Sequence, residues 1–280
     1  MSEWKTRIRR VISLIAIAYL GVVLLAALFQ RRLLYFPTKL SLELAERTAL
    51  VEGFVPWKTQ AGETIGWKIP ARGSPTGSVL IAHGNAGNAL NRGYIAKPIH
   101  AAASFDVFVL EYPGYGARQG NSTMKSLLSA GEEAFRALPA DRPVYLVSES
   151  IGAGVVAHLA KTFLTKVAGL LLFAPYDDLG CVAQSQMPLL PARWILRDRF
   201  RPAEWLTDYR GPLKIVIAER DEIIPPRFGH QLYDSYHGPK DLEIVAEAGH
   251  NDIAEQSPEW WQKVFRFWAE HSAGETKAFR

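Results

Sequence analysis

The sequence predicts an α/β fold, a mostly parallel sheet of about eight strands with helices on both faces, preceded by one N-terminal membrane helix. Three observations carry this expectation. Short apolar runs alternate with segments of helical spacing from residue 78 to residue 271, and unbroken apolar runs of this kind belong to strands buried on both faces. Residues 143–154, PVYLVSESIGAG, read as strand, sharp turn and helix in immediate succession. Residues 11–29 carry no charge at all; as a helix they reach roughly 28 Å, close to the hydrocarbon thickness of a bilayer.

The bulk properties agree with one large domain and an appendage. The chain has 280 residues, 48% hydrophobic and 21% charged, enough apolar material for a sizeable core and too much for a long disordered tract. The net charge is +4. The excess of Lys and Arg flanks the apolar segment and forms no basic cluster with interleaved aromatics. A lipid bilayer is therefore the expected partner and nucleic acid is not. Cys181 is the only cysteine, which excludes an intrachain disulfide and a multi-cysteine metal site.

Taken in order, residues 1–36 form the anchor. Lys5, Arg7, Arg9 and Arg10 precede the span, Arg31, Arg32 and Lys39 follow it, and Trp4, Tyr35 and Phe36 suit the two interfaces. The flank Leu-Phe-Gln-Arg-Arg lacks the small-x-small site of a cleaved signal peptide, so an uncleaved anchor is expected. The larger basic group on the N-terminal side puts that end in the cytoplasm and the main domain on the non-cytoplasmic side.

Residues 37–280 form the globular domain. Segments 53–59 and 64–69 alternate like strands around a turn at Ala61-Gly62. Strands are expected at 78–82, 107–110, 144–147, 167–174, 213–218 and 242–245. Helices fill the gaps: one ending near Ala103, one over 122–138 capped by Asn121 or Ser122, and one over 258–271. Catalytic groups in such sheets gather beyond the carboxyl ends of the strands.

The turn after strand 144–147 holds Ser148, Glu149, Ser150, Ile151 and Gly152. A turn this sharp forces the strand and the helix so close together that the positions two before and two after its central residue must be small. With Ser150 at the centre these are Ser148 and Gly152; with Ser148 they would include Leu146, which would collide with the helix. Ser150 is thus the expected nucleophile on a strand–turn–helix elbow.

A serine hydroxyl needs a histidine base, and the histidine needs a carboxylate to fix its tautomer. Asp221 follows strand 213–218 and His250 follows strand 242–245, giving the chain order Ser150, Asp221, His250. Asp177 and Asp178, after the preceding strand, are rival acids. For a developing oxyanion the expected donors are the backbone N–H groups of Ile151, directly after the nucleophile, and of Asn85, in the His83-Gly84-Asn85 turn after strand 78–82. His83 is expected to brace that turn by hydrogen bonding.

The motifs HGNAGN, EYPGYG, SESIG, ERDEIIPP and AGHND, at these spacings behind an anchor and Leu34-Tyr35-Phe36-Pro37, resemble the membrane-anchored Bem46-like and serine-aminopeptidase-like members of the α/β-hydrolase superfamily. The resemblance covers nearly the whole chain. It implies an α/β-hydrolase fold, with Ser150, Asp221 and His250 as nucleophile, acid and base and no metal or organic cofactor. Ser148 stands where the family has the first elbow glycine.

The expected function is a membrane-anchored serine hydrolase that cleaves carboxylic esters or thioesters of lipid or acylated substrates. A small cap over about residues 176–212, with apolar stretches 187–191 and 194–196, either walls an acyl cleft or packs the cap onto the body. A serine peptidase is one alternative, with Glu149, Asp177 or Asp178 to hold a substrate amine. A catalytically idle membrane scaffold is the other.

Overall fold

The computed structural model describes residues 2–272. Eight strands form one sheet: β1 (Val55–Lys58), β2 (Thr64–Ile69), β3 (Gly77–Ala82), β4 (Phe105–Leu110), β5 (Val144–Glu149), β6 (Val167–Phe173), β7 (Leu213–Ala218) and β8 (Lys240–Val245). Their spatial order is β8-β7-β6-β5-β3-β4-β2-β1. The hairpin β1–β2 is antiparallel and β2 meets β4 antiparallel; every other pairing is parallel.

The continuous apolar runs behave as their composition requires. Every residue of β3, β4, β5 and β7 is buried, because helices cover both faces. Successive side chains leave a strand on opposite sides, so one core takes Leu80, Leu146 and Ile215, packed on α4 (Met124–Arg136), α5 (Gly152–Thr162) and α9 (Pro226–Ser235). The opposite core takes Val79, Val147 and Val216 against α3 (Gly93–Ala102) and α10 (Pro258–His271). From β3 the chain crosses to β4 on one side, then returns past β3 to β5 on the other. That reversal opens a crevice at the carboxyl ends of β3 and β5, the usual location of a ligand site in an open α/β sheet.

Two local details differ from the sequence reading. Residues 42–52 form an unanticipated helix, α2 (Leu42–Glu52), started by the Ser41 hydroxyl, which accepts from the Leu44 N–H at 3.2 Å. Gly53, expected to open a strand, instead ends α2 with a left-handed φ of 79°, a conformation that costs glycine little. Thr123, rather than Asn121 or Ser122, caps α4, exchanging hydrogen bonds with Ser126 in a reciprocal box.

The first helix, α1 (Ser2–Leu34), is long and apolar enough to cross a membrane. Its C-terminal half lies against the body. Val23, Ala26, Ala27, Gln30 and Leu34 recur every three or four residues and are the part of this half withdrawn from the surface, which is the spacing of one helix face. They meet the segment between β6 and β7, built from α6 (Leu179–Gln186), α7 (Ala192–Ile195) and α8 (Pro202–Trp205). Gln30 donates to the Ile195 carbonyl at 3.1 Å and accepts from the Arg197 N–H at 2.6 Å. Nearer the N-terminus, the Tyr19 hydroxyl donates to the Leu189 carbonyl at 3.0 Å.

The buried Asp198 takes both Nε and a terminal nitrogen of Arg31, at 3.0 and 3.3 Å, and the Tyr35 hydroxyl at 3.2 Å. Beyond this clamp, Phe36 and Pro37 pair in parallel with Ala86 and Gly87. Asp198→Ala is expected to destabilise the folded chain by about 1–2 kcal/mol; Arg31 is half exposed and recovers part of its solvation, whereas the Tyr35 hydroxyl does not. Thermal unfolding in detergent micelles reads this out, with Asp198→Asn losing less. A midpoint unchanged by Asp198→Ala would mean that the clamp contributes nothing.

Candidate active site

At the carboxyl end of β5 the backbone turns within one residue. Ser150 has a φ of 54°, the left-handed region that a side-chain-bearing residue enters only when its surroundings hold it there. They do so on both sides: the Ser150 N–H donates to the Phe173 carbonyl at 2.9 Å, and its carbonyl accepts from Ala153 at 2.9 Å. Two residues later a Cβ on Gly152 would collide with the Ala82 carbonyl oxygen, so no larger residue fits. Ser148, two residues earlier, is fully buried, and its Oγ has no hydrogen-bond partner among the described residues. The elbow thus accommodates a hydroxymethyl group where glycine is usual.

The turn after β3 is braced from below. His83 is wholly buried; its Nδ1–H donates to the Gly84 carbonyl at 2.7 Å, and its ring lies 4.2 Å from that of Tyr112 and 5.2 Å from that of Tyr115. Burial lowers its pKa, against the pull of the neighbouring Glu111 carboxylate. The Asn85 side chain donates to the Leu34 carbonyl at 2.9 Å, and its own carbonyl accepts from the Phe36 N–H and the Tyr115 hydroxyl. The end of α1 therefore helps to position this turn. Gly116, from EYPGYG, has a φ of 51°, and a Cβ there would run into the Glu111 carboxylate.

On the other side, the loop after β7 carries Asp221 and the loop after β8 carries His250. Asp221 is buried and committed at both oxygens. Oδ1 accepts from the N–H groups of Ile223 and Ile224 at 2.9 and 2.7 Å, and Oδ2 accepts from His250 Nδ1–H at 2.6 Å. A carboxylate can only accept here, so the Nδ1 proton is fixed and Nε2 is left as the basic nitrogen.

The two rival acids are placed elsewhere. Asp178 caps α6 through the Gly180 N–H at 2.6 Å and pairs with Arg199 at 3.1 Å. Asp177 is half-buried, and desolvation raises its pKa; the carboxylate bonded to His250 Nδ1 is that of Asp221.

Ser150, Ile151, Asn85 and His250 all line a single cavity of about 700 Å³. Its walls are mainly apolar, with Leu179, Val182, Met187 and Ile195 from the segment between β6 and β7 and Ala26 and Leu33 from α1. One end is polar and contains a feature that the sequence did not announce. Glu149, next to Ser150, is ion-paired with the buried Arg92 at 2.9 Å and accepts from the Tyr94 hydroxyl at 2.6 Å. Arg92 also donates to the Ala86 carbonyl at 2.6 Å. No local pattern joins residues 92 and 149; Arg92 follows β3 and Glu149 ends β5, and the pairing of those two strands brings them together.

No protein-family model matches the chain. It is 29% identical over 259 residues to the uncharacterized protein Rv2307c of Mycobacterium tuberculosis, covering 90% of this chain and 91% of that one. It is 26% identical over 222 residues to the lysophosphatidylserine lipase ABHD12 of Macaca fascicularis, covering 70% of this chain and 55% of the lipase. The match thus spans about half the length of that relative. Among solved structures, the alpha/beta hydrolase GrgF from Penicillium superposes with a TM-score of 0.57 at 17% identity, covering 78% of this chain and 98% of that one.

Proposed function

We propose that this chain, an α/β-hydrolase by its fold and its sequence relatives, is a membrane-anchored serine hydrolase of carboxylic esters or thioesters. The observation that carries the reading is the 2.6 Å His250–Asp221 pair opening onto the same cavity as a serine held at positive φ. Ser150 Oγ attacks the acyl carbon while His250 Nε2 takes its proton. The new oxyanion accepts from the backbone N–H groups of Ile151 and Asn85, which this reading assigns to the purpose. Collapse breaks the bond to the alcohol or thiol, which leaves with the proton from His250. Water then enters by the reverse sequence and releases the acid and free Ser150.

In this reading residues 1–36 anchor residues 37–280, a small cap over about 176–212 leaves a fairly open cleft, and the body lies on the non-cytoplasmic side. The named lipase among the relatives supports an acylated lipid as substrate. The peptidase alternative needs a free carboxylate in the cleft to hold an amine; Glu149 is engaged by Arg92 and Tyr94 and Asp178 by Gly180 and Arg199, and neither Asp177 nor Asp178 lines the cavity.

The test is hydrolysis by the purified full-length chain in nanodiscs. A p-nitrophenyl ester and a thioester of the same acyl group are expected to be cleaved, and an aminoacyl p-nitroanilide to be cleaved at least about 100-fold more slowly. Cleavage of the anilide alone would transfer the assignment to a peptidase.

A further inference from the structure

The membrane helix and the cap are not two separate devices. The apolar run 11–29 must lie in hydrocarbon if α1 spans the bilayer, yet Tyr19, near its middle, is bonded to Leu189 in the cap. From Val11 to Tyr19 the helix provides only about 12 Å of unaccompanied apolar length, less than half of a bilayer core of about 30 Å. The rest of the span runs beside the cap. The body cannot lift away, because Asp198 clamps Arg31 and Tyr35, and Phe36–Pro37 pairs with Ala86–Gly87 directly after the helix ends.

The cap surface matches that position. Leu189 and Trp194 are 85% and 84% exposed, a costly arrangement in water at the tip of a small cap and a favourable one in lipid. Arg31, Arg32 and Arg197 sit at the level of the Gln30 bonds, where headgroup phosphates would meet them, and Arg193, exposed beside Trp194, has a stem long enough to carry its charge toward that level. Along this contact Ala26, Gln30 and Leu33 of α1 line the cavity together with Met187 and Ile195 of the cap.

We infer that the cap dips into one leaflet beside α1 and that the cavity between them is a lateral portal. Through it, a membrane-resident amphiphile slides its acyl chain toward Ser150 without leaving the bilayer. The inference rests on the serine hydrolase reading for its chemistry and on the helix–cap contact for its geometry. It assigns the apolar wall to the chain and the Arg92–Tyr94–Glu149 end to the polar part of the lipid. Ala26 is the gate position: it is small, it faces the cavity, and any larger residue there narrows the opening.

Two readouts test it, both on the full-length chain in phosphatidylcholine vesicles. First, a nitroxide on Leu189→Cys, with Cys181→Ala, is expected to collide more with oxygen than with a water-soluble nickel chelate, opposite to a nitroxide on the exposed Lys125→Cys. Equal access of the chelate to both sites would overturn the membrane placement. Second, Leu189→Lys with Trp194→Lys is expected to slow cleavage of a vesicle-dissolved hexadecanoyl ester by at least about tenfold, while cleavage of an acetyl ester offered from water stays within about twofold. Ala26→Trp is expected to shift preference toward short chains by a similar factor. Equal effects on both esters would overturn the portal. Absence of any ester cleavage by the wild type would instead defeat the hydrolase reading, and the nitroxide result would still decide where the cap lies.

Discussion

Ser150→Ala is expected to lower ester hydrolysis by at least about 10⁴-fold while leaving the fold intact. The side chain is small, and the φ of 54° that holds it is imposed by the bonds to Phe173 and Ala153, which alanine retains. What disappears is the only group that this account lets attack the acyl carbon; any residual rate would come from the remaining binding and oxyanion contacts. Ser148→Ala is the control. Its Oγ is buried with no hydrogen-bond partner among the described residues, so its removal is expected to change the rate by less than about threefold and to be neutral or slightly stabilising. Steady-state rates on one ester, with circular dichroism of each variant, separate these outcomes. A large loss in Ser148→Ala with a normal Ser150→Ala would move the nucleophile.

Asp221→Asn is the second large effect, expected at about 10⁴-fold in kcat with substrate binding little changed. The wild-type carboxylate accepts from three donors, the N–H groups of Ile223 and Ile224 and the His250 Nδ1–H. Asparagine can accept on one side only. If its oxygen stays on the two backbone donors, its NH₂ faces His250 and drives the imidazole proton to Nε2, where it cannot take one from Ser150. If it flips, its NH₂ is pressed against two backbone N–H groups and the loop loses two hydrogen bonds. The first arrangement costs less, so the protein should fold with the wrong histidine tautomer. Nitrogen NMR of His250 is expected to show the proton on Nε2 in the variant and on Nδ1 in the wild type. A variant with near-normal kcat would show that Asp221 does not set the tautomer.

The sheet was legible in the sequence because strands buried on both faces leave nearly uninterrupted apolar runs, and 144–147 or 213–218 can hardly be read otherwise. Ser150, Asp221 and His250 could be nominated as candidates because each follows such a run within a few residues, and the elbow's size rule alone preferred Ser150 to Ser148 through Leu146. The structure adds Gly152, whose missing Cβ leaves room for the Ala82 carbonyl. The capping choice at α4 was hidden because Asn121, Ser122 and Thr123 are all competent caps, and only the reciprocal bond to Ser126 selects Thr123.

What stayed hidden was non-local. The pairing of Arg92 and Tyr94 with Glu149 depends on β3 lying beside β5, and the helical spacing around residues 89–103 masks it. The docking of α1 was hidden for a different reason. A segment apolar on nearly every face hides which stripe meets protein; the polar groups that find partners on the body are the Tyr19 hydroxyl, at Leu189, and Gln30 just beyond the run, at Ile195 and Arg197. Helix α2 had its signals, Ser41 before it and Gly53 after it. Its half-exposed apolar pattern did not separate it from a loop.

The central claim is an activated serine at the β5–α5 elbow, and active-site labelling tests it most directly. Membranes carrying the full-length chain would be treated with a fluorophosphonate, which phosphonylates only a serine whose proton has an acceptor, and the adduct located by peptide mass spectrometry. The account predicts a single adduct on Ser150, lost in Ser150→Ala and strongly reduced in Asp221→Asn. Folded wild-type protein that takes no label, or an adduct on Ser148 instead, would contradict it.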